Sequence, residues 1–175
     1  MKKRTTPKAI LSALLLASTM LLGLTACGNT TQAPQQNESA TVAIDGPKFE
    51  EIAEGLNYFV YDQSSLTAQD NPAIEQSYIA FSKDDQTLNF EFDVYKDVAD
   101  TNALYTYLVG TLENNKETLA NPVASATDNR YMLESDSDGY FYYVCKADRS
   151  IFIAFTQYQY KPQVIELATA MGYLN

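Results

Sequence analysis

The stretch LNFEFDVY, residues 88–95, decides the fold class of this chain. Its apolar side chains alternate with Asn89, Glu91 and Asp93, which is the period of a strand with one buried and one polar face. The turn sequence KDDQ, residues 83–86, joins this strand to an earlier apolar run. The pattern predicts an antiparallel hairpin, and we interpret its polar side chains as a solvent-facing surface.

Further apolar runs between turn signals predict the other strands of an antiparallel sheet. The strongest turn signal is Asp138-Gly139, a dipeptide that favours a two-residue hairpin loop. Together with the hairpin above, the predicted strands cover residues 58–61, 74–81, 88–95, 130–133, 140–146 and 151–156.

Three segments have the apolar spacing of an amphipathic helix. Pro47 opens the first and Pro162 opens the third, while Asp97 or Asp100 caps the second. We therefore predict an α+β domain, with an antiparallel sheet of about six strands and three packed helices in the order α-βββ-α-βββ-α. The repeated order of elements is consistent with an internal duplication. It is equally consistent with amphipathic helices that resemble each other without common origin.

The first 27 residues are typical of an export signal. Basic residues precede an uncharged run, residues 9–22, which is shorter than the roughly 20 apolar residues of a membrane span. The run leads into Leu24-Thr25-Ala26-Cys27, which resembles the bacterial lipobox. That resemblance implies a diacylglyceryl group on the Cys27 sulfur and cleavage between Ala26 and Cys27. A plain signal peptide with a chance cysteine and an uncleaved membrane helix are the alternatives.

This interpretation divides the chain into three parts. Residues 1–26 are a lipoprotein signal peptide, residues 27–46 are the lipidated cysteine and a flexible linker, and residues 47–175 are a single α+β globular domain. Each methylene group buried in the bilayer contributes about 0.8 kcal/mol to membrane binding. Two acyl chains such as palmitate therefore anchor a protein durably, whereas a single chain binds the membrane only marginally. We expect the protein at the outer face of the bacterial cytoplasmic membrane, with the lipid on Cys27 as its membrane contact.

The charge of the chain disfavours one class of partner. The signal peptide holds 4 of the 12 basic residues and none of the 22 acidic ones, so the mature chain carries a net charge near −14. Such a surface repels nucleic acid and anionic lipid headgroups. It suits a soluble domain that stands clear of the membrane, or one that meets a cationic partner or metal ions.

The composition also limits catalysis. The chain has no histidine, which removes the commonest general base and metal ligand. Cys145 alternates with large apolar residues, which indicates a core position rather than a reactive thiol. The acidic turn at residues 134–139 resembles the start of a calcium-binding loop, but its twelfth position is Cys145 instead of a carboxylate. We therefore predict no enzyme activity, no cofactor and no metal site.

Two surface features remain as candidate sites. Glu91 and Asp93 share one strand face, and paired carboxylates can act as acid and base when a pocket shifts one pKa. The 13 tyrosines are the other feature, because tyrosine on an open sheet face can stack on a sugar or hold a peptide. Tyrosine is also simply a good strand former. The candidate ligand-binding residues are Tyr78, Glu91, Tyr95 and Tyr142, with Tyr140 on the same predicted face.

Six short motifs of the domain form a loose pattern, at residues 49–58, 77–80, 89–92, 103–105, 142–144 and 171–173. Through these motifs the domain resembles a group of small, mostly uncharacterised lipoproteins of Gram-positive bacteria, and its element order is similar to that of PsbP-like domains. The resemblance implies a layered α/β/α arrangement around an antiparallel sheet, and it brings no activity with it.

The sequence therefore predicts a membrane-anchored, extracytoplasmic lipoprotein whose domain binds or interacts without catalysis. One alternative is a small-ligand receptor for a sugar or peptide that uses a tyrosine-rich sheet face. A less favoured alternative is a hydrolase that uses Glu91 and Asp93. The sequence does not define the protein or small-molecule partner.

Overall fold

The computed structural model describes residues 41–174, all within one compact unit that spans Asn37–Asn175. The predicted signal peptide, Cys27 and most of the predicted linker lie outside the described residues. In the part of the chain that is described, no helix combines the length and apolar character needed to cross a membrane.

The described residues form four α-helices and seven strands, with one short 3-10 helix. In chain order these are α1 (Gly46–Gly55), β1 (Tyr58–Asp62), α2 (Ser64–Asp70), β2 (Ile74–Ser82), β3 (Asn89–Tyr95), α3 (Val98–Lys116), β4 (Val123–Ala126), β5 (Arg130–Ser135), β6 (Tyr140–Ala147), β7 (Ser150–Gln157), the 3-10 helix Tyr158–Tyr160 and α4 (Lys161–Ala170).

All seven strands belong to one antiparallel sheet in the order β1-β2-β3-β7-β6-β5-β4. Two meanders, β1-β2-β3 and β4-β5-β6-β7, meet where β3 pairs with β7. The predicted α+β class with an antiparallel sheet is confirmed. The predicted element order is incomplete, because it contains neither α2 nor β4.

One face of the sheet packs against α1 and α4 and holds the main core. Phe49 of α1 stacks on Phe92 of β3 with ring centroids 4.7 Å apart. Val164 and Leu167 of α4 are fully buried against the same face. Burying each such side chain contributes about 1.5–3 kcal/mol, so this face supplies most of the hydrophobic stabilisation.

The packed domain begins at the end of the segment predicted as linker. The Asp45 side chain caps α1 by accepting a hydrogen bond from the Lys48 backbone N–H at 3.0 Å. The Gly46 backbone N–H donates to Gln76 Oε1 at 2.8 Å. The helix ends before Asn57, whose φ of 70° lies in the left-handed region.

The opposite face of the sheet is covered in part by α2 and α3. Of the two predicted caps, Asp97 caps α3 by accepting a hydrogen bond from the Ala99 backbone N–H at 2.8 Å, and Asp100 lies in the first turn. The helix buries Tyr105, Leu108 and Leu112. If the two meanders were duplicates, a twofold axis perpendicular to the sheet would relate β3 to its antiparallel neighbour β7. That rotation keeps each face of the sheet on its own side, so α3 and α4, the helices that follow the two meanders, would lie on the same face. Because α3 and α4 lie on opposite faces, the order of elements is no evidence for such a duplication.

Candidate functional site

Two of the four candidate ligand-binding residues are buried. Tyr78 is 5% exposed and lies on the core face, where its ring meets Phe49 edge-on at 6.3 Å. Tyr95 is 4% exposed, and burial is the main cause that raises the pKa of its hydroxyl. The prediction that both tyrosines belong to an exposed sheet face is therefore wrong. Glu91 and Tyr142 remain partly exposed on the face that carries α2 and α3.

The uncovered part of that face carries a band of large apolar side chains, which we call the open strip. In β1 and β2, Phe59 is paired with Phe81, and Tyr61 with Ile79. Phe59 is 57% exposed and Tyr61 is 55% exposed, values that are high for aromatic residues in a sheet. Beyond β3, strands β7 and β6 contribute a further pair, Phe155 and Tyr142. The open strip consists of Phe59, Tyr61, Ile79, Phe81, Tyr142 and Phe155.

The rings at the β6 end of the open strip form a connected group. Tyr142 is paired with Phe155, and their rings meet edge-on at 5.5 Å. Tyr140 stacks beside Tyr142 with centroids 6.0 Å apart. Burial raises the pKa of Tyr142 to about 12, so its hydroxyl stays protonated near neutral pH and can donate a hydrogen bond.

Glu91 occupies the centre of the open strip. Its register partners on the two neighbouring strands are Ile79 of β2 and Ile153 of β7. Burial by these apolar neighbours raises the pKa of the Glu91 carboxyl. The strip thus combines apolar side chains on both sides with one acidic group between them.

Asp93 lies one step further along β3, underneath the helices, and is only 2% exposed. The interpretation of residues 89–93 as a solvent-facing surface is wrong at this position, although Asn89 is exposed. Burial raises the pKa of Asp93 well above its usual value, and the neighbouring Glu91 charge adds to the effect. Burial therefore favours the protonated form of Asp93, which shares the site with a second carboxyl group.

Polar side chains of β2 and of the segment before α2 lie beside this carboxyl pair. Ser77 is the register partner of Asp93 on β2, and its hydroxyl accepts a hydrogen bond from the Gln63 amide at 3.0 Å. The Ser77 proton is thereby free to point towards Asp93. One oxygen of Asp93, Oδ1, has no donor among the described residues. The shared proton of the pair can satisfy that oxygen when Glu91 or Asp93 is protonated.

The rim of the open strip holds a cation of its own. The Lys83 ammonium lies 5.0 Å from the centroid of the Phe59 ring, within the range of a cation–π contact. This contact demonstrates that the ring face at the edge of the strip is accessible to a positive charge.

The remaining candidate groups have structural positions. Cys145 is 1% exposed and packs in the core, as predicted. Within residues 41–174, no three His, Cys, Asp or Glu side chains are grouped in a way that could hold a metal ion. A shallow cavity of about 260 Å³ lies between residues 43–45 and the β6–β7 turn, away from the open strip.

The fold and the site together define an α+β domain with one open, aromatic half-face of an antiparallel sheet. Comparisons with models of known protein families, with curated proteins and with solved structures find no match for this chain.

Sequence reasoning identified Tyr142 and Glu91 but did not identify Phe59, Tyr61 or Phe155. A signal was present in β1, whose sequence YFVYD carries large apolar residues on both faces. β1 is an edge strand with one buried face, so folding does not require large apolar side chains on its other face. An exposed large apolar patch is therefore the informative observation.

Proposed function

We propose that this chain is a lipid-anchored, extracytoplasmic binding protein whose ligand lies on the open strip. The observation that carries the binding role is the exposure of aromatic side chains on an ordered sheet face. Rigid aromatic side chains offer large contact areas at low entropic cost.

The anchor rests on the sequence alone. The basic start, the apolar run and Leu24-Thr25-Ala26-Cys27 support acylation of Cys27 and cleavage after Ala26. A linker of small and polar residues supports a domain that reaches away from the lipid surface. Because the domain is acidic, anionic headgroups disfavour its adsorption, which leaves the strip accessible from solution.

One experiment tests the anchor. Bacteria that express the chain are labelled with an alkyne fatty acid, alongside a Cys27→Ser variant. We expect label and membrane fractionation for the native chain and loss of both for the variant. A Cys145→Ser variant is the matched control and should keep both. A native chain without label, or a Cys27→Ser chain that fractionates equally with membranes, contradicts the proposal.

A separate experiment tests the binding role. The protein is screened by the rise of its Tm against soluble glycan fragments and short peptides of varied charge. Any hit is then repeated with Phe59→Ala and with Tyr107→Ala, an exposed aromatic of α3 outside the strip. We expect the strip variant alone to lose the shift. A hit that both variants keep contradicts binding at the strip.

A carboxylate-based hydrolase is the second candidate. The pairing of partly exposed Glu91 with buried Asp93 favours it, since raised pKa values mark many acid catalysts. In that role Glu91 would be the group that reaches substrate, because Asp93 is too deeply buried. Turnover of a glycoside or peptide that is lost in Glu91→Gln but kept in Glu54→Gln would establish it. Absence of turnover across both substrate classes would reject it.

A further inference from the structure

We propose that the ligand of the open strip is a basic peptide segment in extended conformation, with a lysine or arginine side chain against Glu91 and apolar side chains on either side. This inference rests on the proposed binding function and names its ligand class. It is carried by the dimensions of the strip, by the position of its single acid and by the charge of the domain.

The dimensions suit a short extended segment. The strip crosses five neighbouring strands, from Tyr61 on β1 to Tyr142 on β6. Neighbouring strands lie about 4.8 Å apart, so these ends are separated by about 19 Å. An extended chain advances about 3.3 Å per residue and covers that distance in about six residues.

The position of Glu91 sets the pattern along that segment. β3 is the middle of the five strands, so Glu91 divides the apolar side chains into two groups. Phe59, Tyr61, Ile79 and Phe81 lie on one side, and Tyr142 and Phe155 on the other. A complementary ligand therefore carries its cation near the middle and its apolar side chains towards both ends.

Glu91 has no basic partner within the described part of the chain. The ion pairs recorded there use Glu51, Glu75, Glu113 and Glu134. A carboxylate that is partly withdrawn from water next to apolar side chains gains most from a cation that arrives with its own apolar surface. Glu91 is placed to give a ligand this gain.

The surrounding charge favours the same ligand. Residues 41–174 contain 8 basic and 21 acidic residues, so the field of the domain attracts cations and repels anions. The same field opposes face-to-face pairing of two copies of this chain. The Lys83 ammonium above the Phe59 ring already makes, within the protein, the type of contact that a ligand cation would make at the rim.

The test uses the full chain in zwitterionic detergent and two blocked six-residue peptides. One carries two central lysines between pairs of leucines, and the other carries two central glutamates between the same leucines. Binding is measured by calorimetric titration, and protein-free micelles give the background. We expect measurable binding of the lysine peptide only. Equal binding of both peptides, or of neither, overturns the inference.

Matched variants locate the contact. We expect Glu91→Gln to weaken binding of the lysine peptide about tenfold, because a desolvated charge pair contributes about 1.4 kcal/mol or more. Glu54→Gln, an exposed glutamate of α1 on the opposite face, should leave the affinity unchanged. Equal losses in both variants would indicate attraction to the overall acidic surface and would overturn the specific site.

A second pair of variants keeps the test decisive if Glu91→Gln fails to fold. Tyr61→Ala should weaken binding severalfold, whereas Tyr107→Ala should not. A glycan that binds at the strip, with no lysine-peptide binding, would overturn the peptide inference and leave the proposed binding function intact. Failure of every probe in the wider screen would count against the binding function itself.

Discussion

Ser77 and Asp93 face each other across β2 and β3, and this pairing places a carboxyl group that is 2% exposed beneath the helices. The pair explains why the polar face of β3 is not uniform. At one end of this face Asn89 is exposed to water, and in the middle Glu91 lies in the open strip. At the other end Asp93 is buried. One strand face therefore passes from solvent, through the open strip, to a buried position.

The burial of Asp93 predicts a specific pH dependence of folding stability. Because burial raises the pKa of Asp93 in the folded state, its protonated form is favoured there. The contribution of protonated Asp93 to folding stability is fully present below the unfolded-state pKa of about 3.9. It is lost as the pH rises from there through the folded-state pKa, by about 1.4 kcal/mol per pH unit. Asp93→Asn removes this titration and should gain stability relative to the native chain as the pH rises.

Urea unfolding at several pH values checks this prediction. Glu91 and Tyr95 on β3 also titrate around the site, and the charge of Asp100 on α3 acts on Tyr95. The comparison therefore uses the difference between the native chain and the variant at each pH. Asp70→Asn, at an exposed site at the end of α2, is the control for the loss of one carboxyl group. A difference for Asp93→Asn that stays constant across the pH range would show that folding does not shift the pKa of this carboxyl, which contradicts the prediction.

Gly46 predicts a steric cost at the start of α1. A Cβ atom at this position would overlap the ring of Tyr78, which is buried and cannot move aside freely. Gly46→Ala should therefore destabilise the protein by about 1–3 kcal/mol, the usual cost of overpacking. At Gly55 an added Cβ meets nothing within 4 Å, so Gly55→Ala is the control. Similar unfolding midpoints for both variants would contradict the packing of Tyr78 against α1.

The hydrogen bond that Tyr131 makes between β5 and α3 is expected to contribute to the free energy of unfolding. The Tyr131 hydroxyl donates to Glu113 Oε1 at 2.5 Å, and its ring is buried. Tyr131→Phe should cost about 1 kcal/mol in thermal or urea unfolding. Hydrogen bonds from Lys116 and Tyr131 lower the pKa of Glu113, so this difference should shrink as the pH falls. Tyr107→Phe, at an exposed site, should change nothing measurable.

The buried thiol of Cys145 predicts slow chemical labelling. Its exposure is 1%, and a protein with stability of about 5 kcal/mol opens globally in fewer than one molecule in a thousand. A thiol reagent should therefore react about a thousandfold more slowly in buffer than in denaturant. In the acylated protein Cys145 is the remaining thiol, so a Cys145→Ala chain should give no signal. Fast labelling in buffer would place the thiol at the surface.

The elements with a strong apolar period were predictable from sequence, and the elements without one were not. β4 has four exposed residues, VASA, and α2 has no buried residue, so neither carries a pattern that separates it from a loop. In contrast, β3 and β6 bury large side chains at every second position. Local sequence therefore predicts elements that are stabilised by their own burial pattern.

The site was harder to predict for a related reason. Alternation assigns Glu91 and Asp93 to the same face of β3, but it does not say what covers that face. The coverage depends on where α2 and α3 lie, which long-range packing determines. Tyr78 was misplaced because β2 has partly buried residues on both faces, so its alternation is ambiguous.

Intact-mass measurement of the mature protein from bacterial membranes tests the central proposal, a lipid-anchored domain outside the cell, most directly. We predict a chain that begins at Cys27, lacks residues 1–26 and carries the added mass of a diacylglyceryl group. A chain that begins at Met1, or one cut elsewhere without added lipid, would contradict the account.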